Sequence, residues 1–343
     1  MKLEEFDYYL PGGYIAQKPM KPRDHSRLMV LDRGSQEIRH SHFRNIVDYL
    51  KAGDLLVLNN TKVLPVRLLG AKENTKGKIE ILLLNPRDGG DWEVLIKPGK
   101  SVHPGTRIIF AEGLNGVVKT KEEEKGVYLV EFNFKGDFQE ILERIGKIPT
   151  PPYIKEELEE KDDYQTVYAV EDGSIAAPTA GFHFTKPLLK EISSKGVEIV
   201  YITLHIGRGT FEPVRVSEIE KHKMSAEFYS ISPEVTQKIN RAHREKRRII
   251  AVGTSTTRTL ESAFNPEEGG MASGGSNWSN LFIYPGYKFK LVEVLVTNFH
   301  LPQSTPLLLV SAFAGKDFIF RAYEEAIREK YRFYSFGDAM MII

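Results

Sequence analysis

The sequence predicts an α/β layered domain interrupted by a small antiparallel β domain. Outside residues 66–147, apolar runs such as VEIVYITLHI, RRIIAVG and FKLVEVLVTNF alternate with helical segments such as TRTLESAF and PLLLVSAFAG. Within that range the runs are short, and strong turn signals such as NPRDGGD, HPGT and GLNG separate them. Strands that alternate with helices build layered domains, whereas closely spaced strands build barrels or sandwiches. We therefore assign residues 1–65 and 148–343 to one discontinuous domain and residues 66–147 to an inserted domain.

Composition limits the chemistry that is open to this chain. It carries 47 Lys and Arg against 46 Asp and Glu, so binding to nucleic acid would need a local basic patch. It has no cysteine, which excludes disulfides, thiolate metal sites, cysteine nucleophiles and three-cysteine iron–sulfur sites. The stretch MKLEEFDYYLPGGY lacks the regions of a signal peptide, and no apolar run reaches membrane-spanning length. We expect a cytoplasmic protein that does not bind membranes.

The first segment and the insertion are built from different kinds of strand. Residues 55–58, LLVL, are continuously apolar, which is typical of a strand covered on both faces, although a buried helical turn also fits this length. The run stops at Asn59, Asn60 and Thr61. In the insertion, KIEILLL, WEVLIKPG, TRIIFA and GVYLVEFNF are short alternating runs. They predict a small antiparallel barrel or sandwich.

The segment after the insertion begins with a proline-rich stretch. TPPYI resembles the Asn/Asp-Pro-Pro-aromatic signature of amino-methylating methyltransferases, but Thr150 stands where their amine-binding residue would be. No glycine-rich turn follows the first buried strand, so we interpret the stretch as a rigid linker. Residues 185–195 predict a helix that has Thr185 as N-cap and ends at Gly196. Residues 267–279, EEGGMASGGSNWS, predict a loop.

Polar residues follow four of the buried strands. LLVL runs into NNTK, VYITL into HIGRGTF, RIIAV into GTSTTR, and VEVLV into TNFHLP. In open α/β sheets, ligands bind outside the carboxyl ends of the strands, so these four loops together indicate a site. Any one of them alone is better explained by turn formation. GTSTTR fits either an anion at a helix N-terminus or simple helix capping, and it lacks the lysine of a P-loop.

One stretch has neither the periodicity of a core element nor the polarity of a plain loop. GSIAAPTAGFHFTKPLL, residues 173–189, places small residues, two prolines and a histidine between aromatic residues. Histidines also occur at 205, 222 and 300, near presumed strand ends, without HExxH or another metal-ligand spacing. We expect no metal site.

Two basic runs, KPMKPRDHSR and RAHREKRR, are solvated surfaces or contacts to RNA phosphates. The side chains of these runs that we predict to contact RNA are Arg23, Arg27, Arg244, Lys246, Arg247 and Arg248.

A family resemblance extends over most of the chain. IAQKPMKPRDHSRLMVLD, DLLVLNNTKVLPVRL, GSIAAPTAGFHFT, TLHIGRGTFEPV, AVGTSTTRTLES, LVTNFHLPQSTPLLLVSAFAG and YRFYSFGDAM occur in order between residues 15 and 340. They resemble the S-adenosylmethionine:tRNA ribosyltransferase-isomerases of queuosine biosynthesis. The middle of the insertion matches least. In KHKMSAEFY this chain has Ser225 where the family commonly has a second histidine, which leaves His222 and Glu227.

The resemblance implies an αβα-sandwich domain with an inserted antiparallel β-barrel and an active site in the cleft between them. It also implies that the ribosyl part of S-adenosylmethionine, the co-substrate, is transferred to 7-aminomethyl-7-deazaguanine in the tRNA anticodon and isomerised. Adenine and methionine leave, and epoxyqueuosine-tRNA is the product. A monomer that needs no metal is expected. An S-adenosylmethionine-dependent RNA methyltransferase and a non-catalytic RNA-binding protein remain alternatives.

This reaction assigns expected roles to specific residues. The sulfonium acidifies the C5′ hydrogens of the ribose, so a general base is needed, and we expect His183 or His205 to be that base, with Glu227 as a further catalytic residue. Aromatic faces suit the sulfonium, and polar groups suit ribose hydroxyls, oxyanions and the methionine carboxylate. The predicted S-adenosylmethionine contacts are Asn59, Asn60, Phe182, Phe184, Arg208, Thr254, Thr256, Arg258 and Asn298.

Overall fold

The chain forms two compact units in the computed structural model, which describes residues 1–87, 90–122, 126–207, 209, 214–268 and 271–343. The first unit comprises Met1–Lys62 and Pro152–Ile343, and the second comprises Val63–Pro151. The predicted insertion, residues 66–147, falls within the second unit. None of the described helices is long and apolar enough to cross a membrane.

The elements of the described residues are numbered in chain order. The strands are β1 (Arg27–Asp32), β2 (Glu37–His42), β3 (Leu55–Asn59), β4 (Thr61–Val63), β5 (Arg67–Lys72), β6 (Lys78–Pro86), β7 (Asp91–Lys97), β8 (Arg107–Ile109), β9 (Asn115–Glu122), β10 (Val127–Asn133), β11 (Glu171–Ser174), β12 (Glu198–Leu204), β13 (Glu227–Ile231), β14 (Ile249–Val252), β15 (Phe264–Asn265), β16 (Met271–Ala272), β17 (Gly275–Ser279), β18 (Val294–Asn298) and β19 (Ala339–Ile342). The helices are α1 (Phe138–Ile145), α2 (Lys186–Ser194), α3 (Pro233–Arg244), α4 (Thr254–Ala263), α5 (Thr305–Ala314) and α6 (Lys316–Arg328).

The first unit is built on a mixed sheet with helices on both faces. In the described part of the chain this sheet has nine strands in the order β17-β13-β12-β3-β14-β18-β19-β1-β2. Leu55 and Val57 of β3 pack into the core that contains α3, α4, α5 and α6. Leu56 and Leu58 pack on the other face with α2 and the 3-10 turn Phe43–Tyr49. The strand predicted for residues 55–58 is confirmed, and its unbroken apolar run follows from burial on both faces.

The carboxyl ends of four parallel strands lie at one edge of this sheet. β12, β3, β14 and β18 are parallel neighbours. β19 runs antiparallel to β18 and pairs Ala339 with Asn298, while β1 runs parallel to β19 and pairs Leu28 with Ala339. The start of β1, with Ser26 before it, therefore lies at the same edge as the end of β18. Segments that are far apart in the sequence meet there.

Two local expectations have different outcomes. The helix predicted for residues 185–195 is confirmed as α2: the Thr185 side chain caps the N–H of Leu188, and the chain turns at Gly196 with φ of +87°. The loop predicted for residues 267–279 is wrong in part, because residues 275–279 form the edge strand β17, which pairs with β13. Trp278 of this strand is 64% exposed, so the strand lacks the apolar alternation from which a strand is predicted.

The second unit is a closed antiparallel barrel. Its six strands in the described residues have the order β10-β7-β6-β5-β8-β9, which decides between the barrel and sandwich alternatives. Inward and outward residues alternate, as in β6, where Ile79, Ile81 and Leu83 are buried. Gly70 of β5 leaves room for a close approach, since a Cβ there would lie 2.7 Å from the Ile109 carbonyl oxygen. The predicted fold class, an α/β sandwich domain with an antiparallel barrel, is confirmed.

Candidate active site at the carboxyl edge of the sheet

His183 lies between Ser26, just before the start of β1, and Asn298, at the C-terminal end of β18. Its Nδ1 is 2.7 Å from the Ser26 Oγ, and its Nε2 is 3.1 Å from the Asn298 Nδ2. The Phe43 ring stacks on the imidazole, with 4.9 Å between the ring centroids. His183 and Asn298 are each 3% exposed, so this is a buried polar array and not a surface histidine. The Thr179–His183 3-10 turn, part of the unusual 173–189 stretch, places the imidazole there.

The neighbours of Asn298 determine which nitrogen of His183 carries the proton. The Asn298 Nδ2 donates to the Tyr334 carbonyl oxygen at 3.2 Å, and its Oδ1 accepts from the Thr179 hydroxyl at 3.2 Å. The reverse amide orientation would place two oxygens against each other, so the nitrogen faces His183. His183 Nε2 is consequently the acceptor, and Nδ1 carries the proton. His183 therefore has no unshared lone pair to offer a substrate.

Burial keeps this imidazole neutral. Desolvation, followed by the positive charges of Arg332 and Arg23, lowers the pKa of His183 to about 3. A neutral ring at physiological pH agrees with the single-proton hydrogen-bond pattern. His183 is thus a fixed polar link between Asn298 and Ser26.

A small cleft opens beside Ser26 and His183. The empty space in and above it, which includes space open to solvent, is about 210 Å³. The Phe182 and Phe336 rings stack with their centroids 5.9 Å apart, and the Arg23 guanidinium carbon lies 5.4 Å from the Phe182 centroid. The residues that line the cleft are Pro19, Met20, Arg23, Ser26, Phe182, His183, Ser335, Phe336 and Gly337. Of the predicted contacts, Phe182 belongs to this cleft, whereas Phe184 is fully buried in the core on the α2 face.

His205 has a different environment from His183. Its Nδ1 is 2.8 Å from the Thr61 hydroxyl, and its ring stacks on Phe228 at 5.6 Å. No described residue forms a hydrogen bond with its Nε2. Gly173, at φ of +141°, makes room for the ring, because a Cβ there would lie 2.8 Å from the Nε2. Burial lowers the pKa of His205, and the charges of Glu171 and Asp172 partly oppose this shift.

The two asparagines after β3 differ in how fully they are bonded. Asn59 is completely buried, and its side chain joins β3 to β12: Nδ2 donates to the Leu204 carbonyl at 3.0 Å, and Oδ1 accepts from the N–H groups of Leu204 and Thr61, both at 3.1 Å. The Asn60 Oδ1 accepts from the Thr203 hydroxyl at 2.8 Å, while its amide nitrogen has no partner among the described residues. Asn60 is therefore the one of the pair whose side chain can bind a ligand.

Glu227 and Arg258 form a buried ion pair. They are 3% and 8% exposed, and the Arg258 Nη1 donates to the Glu227 Oε2. The other carboxylate oxygen accepts from the Gly207 N–H at 2.9 Å, and the Arg258 Nε donates to the Leu281 carbonyl at 3.0 Å. The pair thus holds β13, α4 and the loop after β12 together. Arg208, a predicted S-adenosylmethionine contact in the HIGRGTF segment after β12, lies outside the described residues.

The GTSTTR segment uses its hydroxyls internally. Gly253 adopts φ of +90° at the start of α4, and the Thr256 hydroxyl donates to the Val252 carbonyl at 2.6 Å. Thr257 likewise bonds back to Gly253 at 3.1 Å. No side chain of the described residues caps this helix, so its first N–H groups and the half-buried Thr254 remain for an anion, whereas the Thr256 hydroxyl does not.

The basic residues are not gathered at the cleft. Arg248 forms a bidentate ion pair with Asp54, and Arg247 forms an ion pair with Glu198 at 2.8 Å. Both pairs lie at the edge of the sheet where the parallel strands begin. Arg244 and Lys246 are exposed in the same region. Arg23, which lines the cleft, donates to the carbonyls of Gln165 and Asp162. Arg27 lies over the Tyr331 ring, with its guanidinium carbon 3.7 Å from the centroid.

The structure adds site residues that sequence reasoning did not single out. Ser26, Ser335 and Phe336 line the cleft, and Thr61 holds His205. Ser26 and Ser335 lie in quoted family-like stretches, KPRDHSR and YRFYSFGDAM, and that is the signal by which they could have been found. Among the described residues no group of three or more His, Asp and Glu is placed to hold a metal ion.

Comparisons with known proteins agree over the whole chain. The family model described as "Queuosine biosynthesis protein" matches residues 3–342. Two proteins named S-adenosylmethionine:tRNA ribosyltransferase-isomerase, from Desulfitobacterium hafniense and Symbiobacterium thermophilum, are each 53% identical to this chain, and both chains of each pair are covered completely. A crystal structure of the S-adenosylmethionine tRNA ribosyltransferase from Thermotoga maritima is 40% identical, with a TM-score of 0.56 over 99% of this chain and 100% of that chain. The buried histidine array and the open histidine both lie at the carboxyl edge of the α/β sheet. The match to the family model and to the two relatives shows that the chain that carries them belongs to the queuosine biosynthesis protein family.

Proposed function

We propose that this chain transfers the ribosyl moiety of S-adenosylmethionine to 7-aminomethyl-7-deazaguanine in the tRNA anticodon, isomerises it, and releases adenine and methionine. The observation that carries the proposal is full-length similarity, at 53% identity, to proteins named for this reaction. The prediction of a cytoplasmic monomer is part of the same proposal. No contact described above favours a methyltransferase or a non-catalytic RNA-binding protein.

The first step needs a base that is neutral near pH 7 and has a free lone pair. The sulfonium acidifies the C5′ hydrogens, and removal of one of them gives an ylide. His205 meets both requirements: burial lowers its pKa, the Thr61 hydroxyl donates to the Glu171 carbonyl at 3.5 Å and so accepts from the His205 Nδ1–H, and Nε2 has no partner among the described residues. The Nε2 of His183 already accepts from Asn298. We therefore assign the base to His205.

The later steps move charge between oxygen, nitrogen and sulfur. After the ribose opens and adenine is lost, the substrate amine attacks the ribosyl group. In the last step an alkoxide closes the epoxide ring and expels methionine. Donors at the carboxyl edge would stabilise the oxygen anions. The Asn60 amide nitrogen is one such group, and the first N–H groups of α4 next to Thr254 are placed for the methionine carboxylate. Glu227 and Arg258 act by holding the loop that follows β12.

The test is product analysis with the intact chain. S-adenosylmethionine and tRNA carrying the aminomethyl base should yield adenine and methionine in equal amounts, and only in the presence of that tRNA. Adenine and methionine can be quantified by liquid chromatography with mass detection. Formation of S-adenosylhomocysteine would contradict the proposal and support a methyltransferase. Binding of tRNA without any release of adenine would support a non-catalytic protein.

A further inference from the structure

The Ser26 hydroxyl is a buried polar group that the proposed reaction steps do not use. Ser26 is 1% exposed and lines the cleft beside His183. Its Oγ has one hydrogen-bond partner among the described residues, His183 Nδ1 at 2.7 Å. Buried hydroxyls normally use both their donor and their acceptor capacity, so the direction of this one bond matters.

The array determines that direction. Asn298 donates both of its amide hydrogens, one to the Tyr334 carbonyl and one to His183 Nε2. The neutral imidazole then has its proton on Nδ1 and donates it to Ser26 Oγ. This arrangement also excludes a nucleophilic serine activated by His183, because the histidine nitrogen that faces Ser26 is already protonated.

The Ser26 hydroxyl proton is therefore left without an acceptor among the described residues. It belongs to a chain of bonds in which each group donates to the next, from Asn298 to His183 to Ser26, and such chains strengthen the final donor. The cleft is the open space next to it. The ligand group that this site needs is thus a hydrogen-bond acceptor.

The rest of the cleft indicates what carries that acceptor. Phe182, Phe336, Pro19 and Met20 make most of its lining apolar, and the cleft is open to solvent, with enclosed room for about one water molecule. It therefore suits the edge of a flat ring system that brings one acceptor atom to the Ser26 hydroxyl. Purine-like bases have this chemistry, and the reaction proposed above involves two of them.

We propose that Ser26 donates a hydrogen bond to a ring nitrogen of a nucleobase held in this cleft and that His183 is a positioning residue that directs the Ser26 hydroxyl. The inference rests on the proposed function, since the base is either the adenine of S-adenosylmethionine or the deazaguanine of the tRNA. Two sets of variants test its two parts.

The first set compares Ser26→Ala, Ser26→Thr and the control Ser311→Ala. Ser311 is also 1% exposed, and its Oγ has no hydrogen-bond partner among the described residues, so its replacement removes a buried hydroxyl without disrupting a bond that the structure describes. Dissociation constants are measured by calorimetry for adenine and S-adenosylmethionine and by filter binding for the tRNA. Ser26→Ala should weaken one partner about five- to tenfold, whereas Ser26→Thr and Ser311→Ala should stay close to wild type.

The outcome also identifies the molecule that supplies the nucleobase. Weaker binding of adenine and S-adenosylmethionine assigns the cleft to adenine, and weaker binding of tRNA alone assigns it to the deazaguanine. Unchanged binding of all three by a folded Ser26→Ala variant would overturn the inference. That result would leave the proposed function intact if the variant and the wild type both still release adenine and methionine. A wild type that releases neither product refutes the proposed function instead.

The second set compares His183→Asn with His183→Ala. An asparagine amide can occupy the place of Nδ1 and still donate to Ser26, but it cannot act as a base at neutral pH. His183→Asn should keep kcat within about tenfold of wild type. His183→Ala should lower turnover further, mainly because it weakens the binding of the nucleobase. A fall in kcat of roughly 10² or more in folded His183→Asn would show that the imidazole itself performs acid–base chemistry and would overturn the positioning role.

Discussion

At the scale of single residues, the hydrogen-bond partners of the two histidines separate their roles. His183 is bonded at both ring nitrogens, whereas His205 is bonded at Nδ1 and has no partner for Nε2 among the described residues. Sequence reasoning placed both near the site but left the choice of base open. The choice depends on the orientation of one amide, Asn298, which is determined by the Tyr334 carbonyl from a distant part of the chain.

The pH dependence of turnover should report His205. Burial lowers its pKa below 6.5, so the imidazole stays neutral at pH 7 and becomes protonated only as the pH falls through the lowered value. We expect kcat/KM to fall on the acid side below pH 6.5. His205→Ala should lower turnover by roughly 10² or more and remove this acid limb. His183→Asn should keep the limb, and an unchanged limb in His205→Ala would move the base elsewhere.

The Glu227–Arg258 pair should be important for stability. Glu227→Ala leaves the Arg258 guanidinium buried without its carboxylate, and breaking a buried pair in this way costs about 3–5 kcal/mol. The free energy of unfolding is measured by urea denaturation. Replacing both residues by Met should recover much of the loss, because no buried charge then remains. A loss under about 1 kcal/mol in Glu227→Ala would contradict this structural role.

At the scale of elements, strand ends were predictable but their side-chain partners were not. The polar loops after β3, β12, β14 and β18 do lie at one edge, as the rule for parallel sheets requires. The hydroxyl of Thr256 nevertheless bonds back to its own helix, and Asn59 joins two strands. Ser26 reaches the site only because β19 lies antiparallel between β18 and β1, an arrangement that no local pattern encodes.

The basic run at the end of α3 divides into two kinds of residue. Arg247 and Arg248 pair with Glu198 and Asp54, whereas Arg244 and Lys246 are exposed. If the exposed pair contacts tRNA phosphates, replacing both by Gln should weaken tRNA binding and reduce the slope of log affinity against log salt by about one to two.

A matched control for this substitution replaces Lys186 and Lys190, which are exposed on α2 and outside the predicted contact set. This control removes the same charge and should leave the salt slope unchanged. Equal slopes in both double variants would mean that the run at the end of α3 is a solvated surface.

At the scale of the whole molecule, each unit has its own hydrophobic interior. The six described strands of residues 63–151 close into a barrel in which each pairs with two neighbours, and the inward residues alternate as in β6. We expect these residues, expressed alone, to unfold in one cooperative transition in urea, monitored at Trp92. A broad, non-cooperative transition would contradict the interpretation of this segment as a separate domain.

The central claim is that the ribosyl carbons of S-adenosylmethionine, and not its methyl group, are transferred to the tRNA. The most direct measurement uses S-adenosylmethionine carrying one isotope in the ribose and another in the methyl group, with mass analysis of the tRNA nucleosides and the small molecules. The account predicts ribose label in the tRNA, methyl label in free methionine, and unlabelled adenine. Methyl label in the tRNA, with ribose label in S-adenosylhomocysteine, would contradict it.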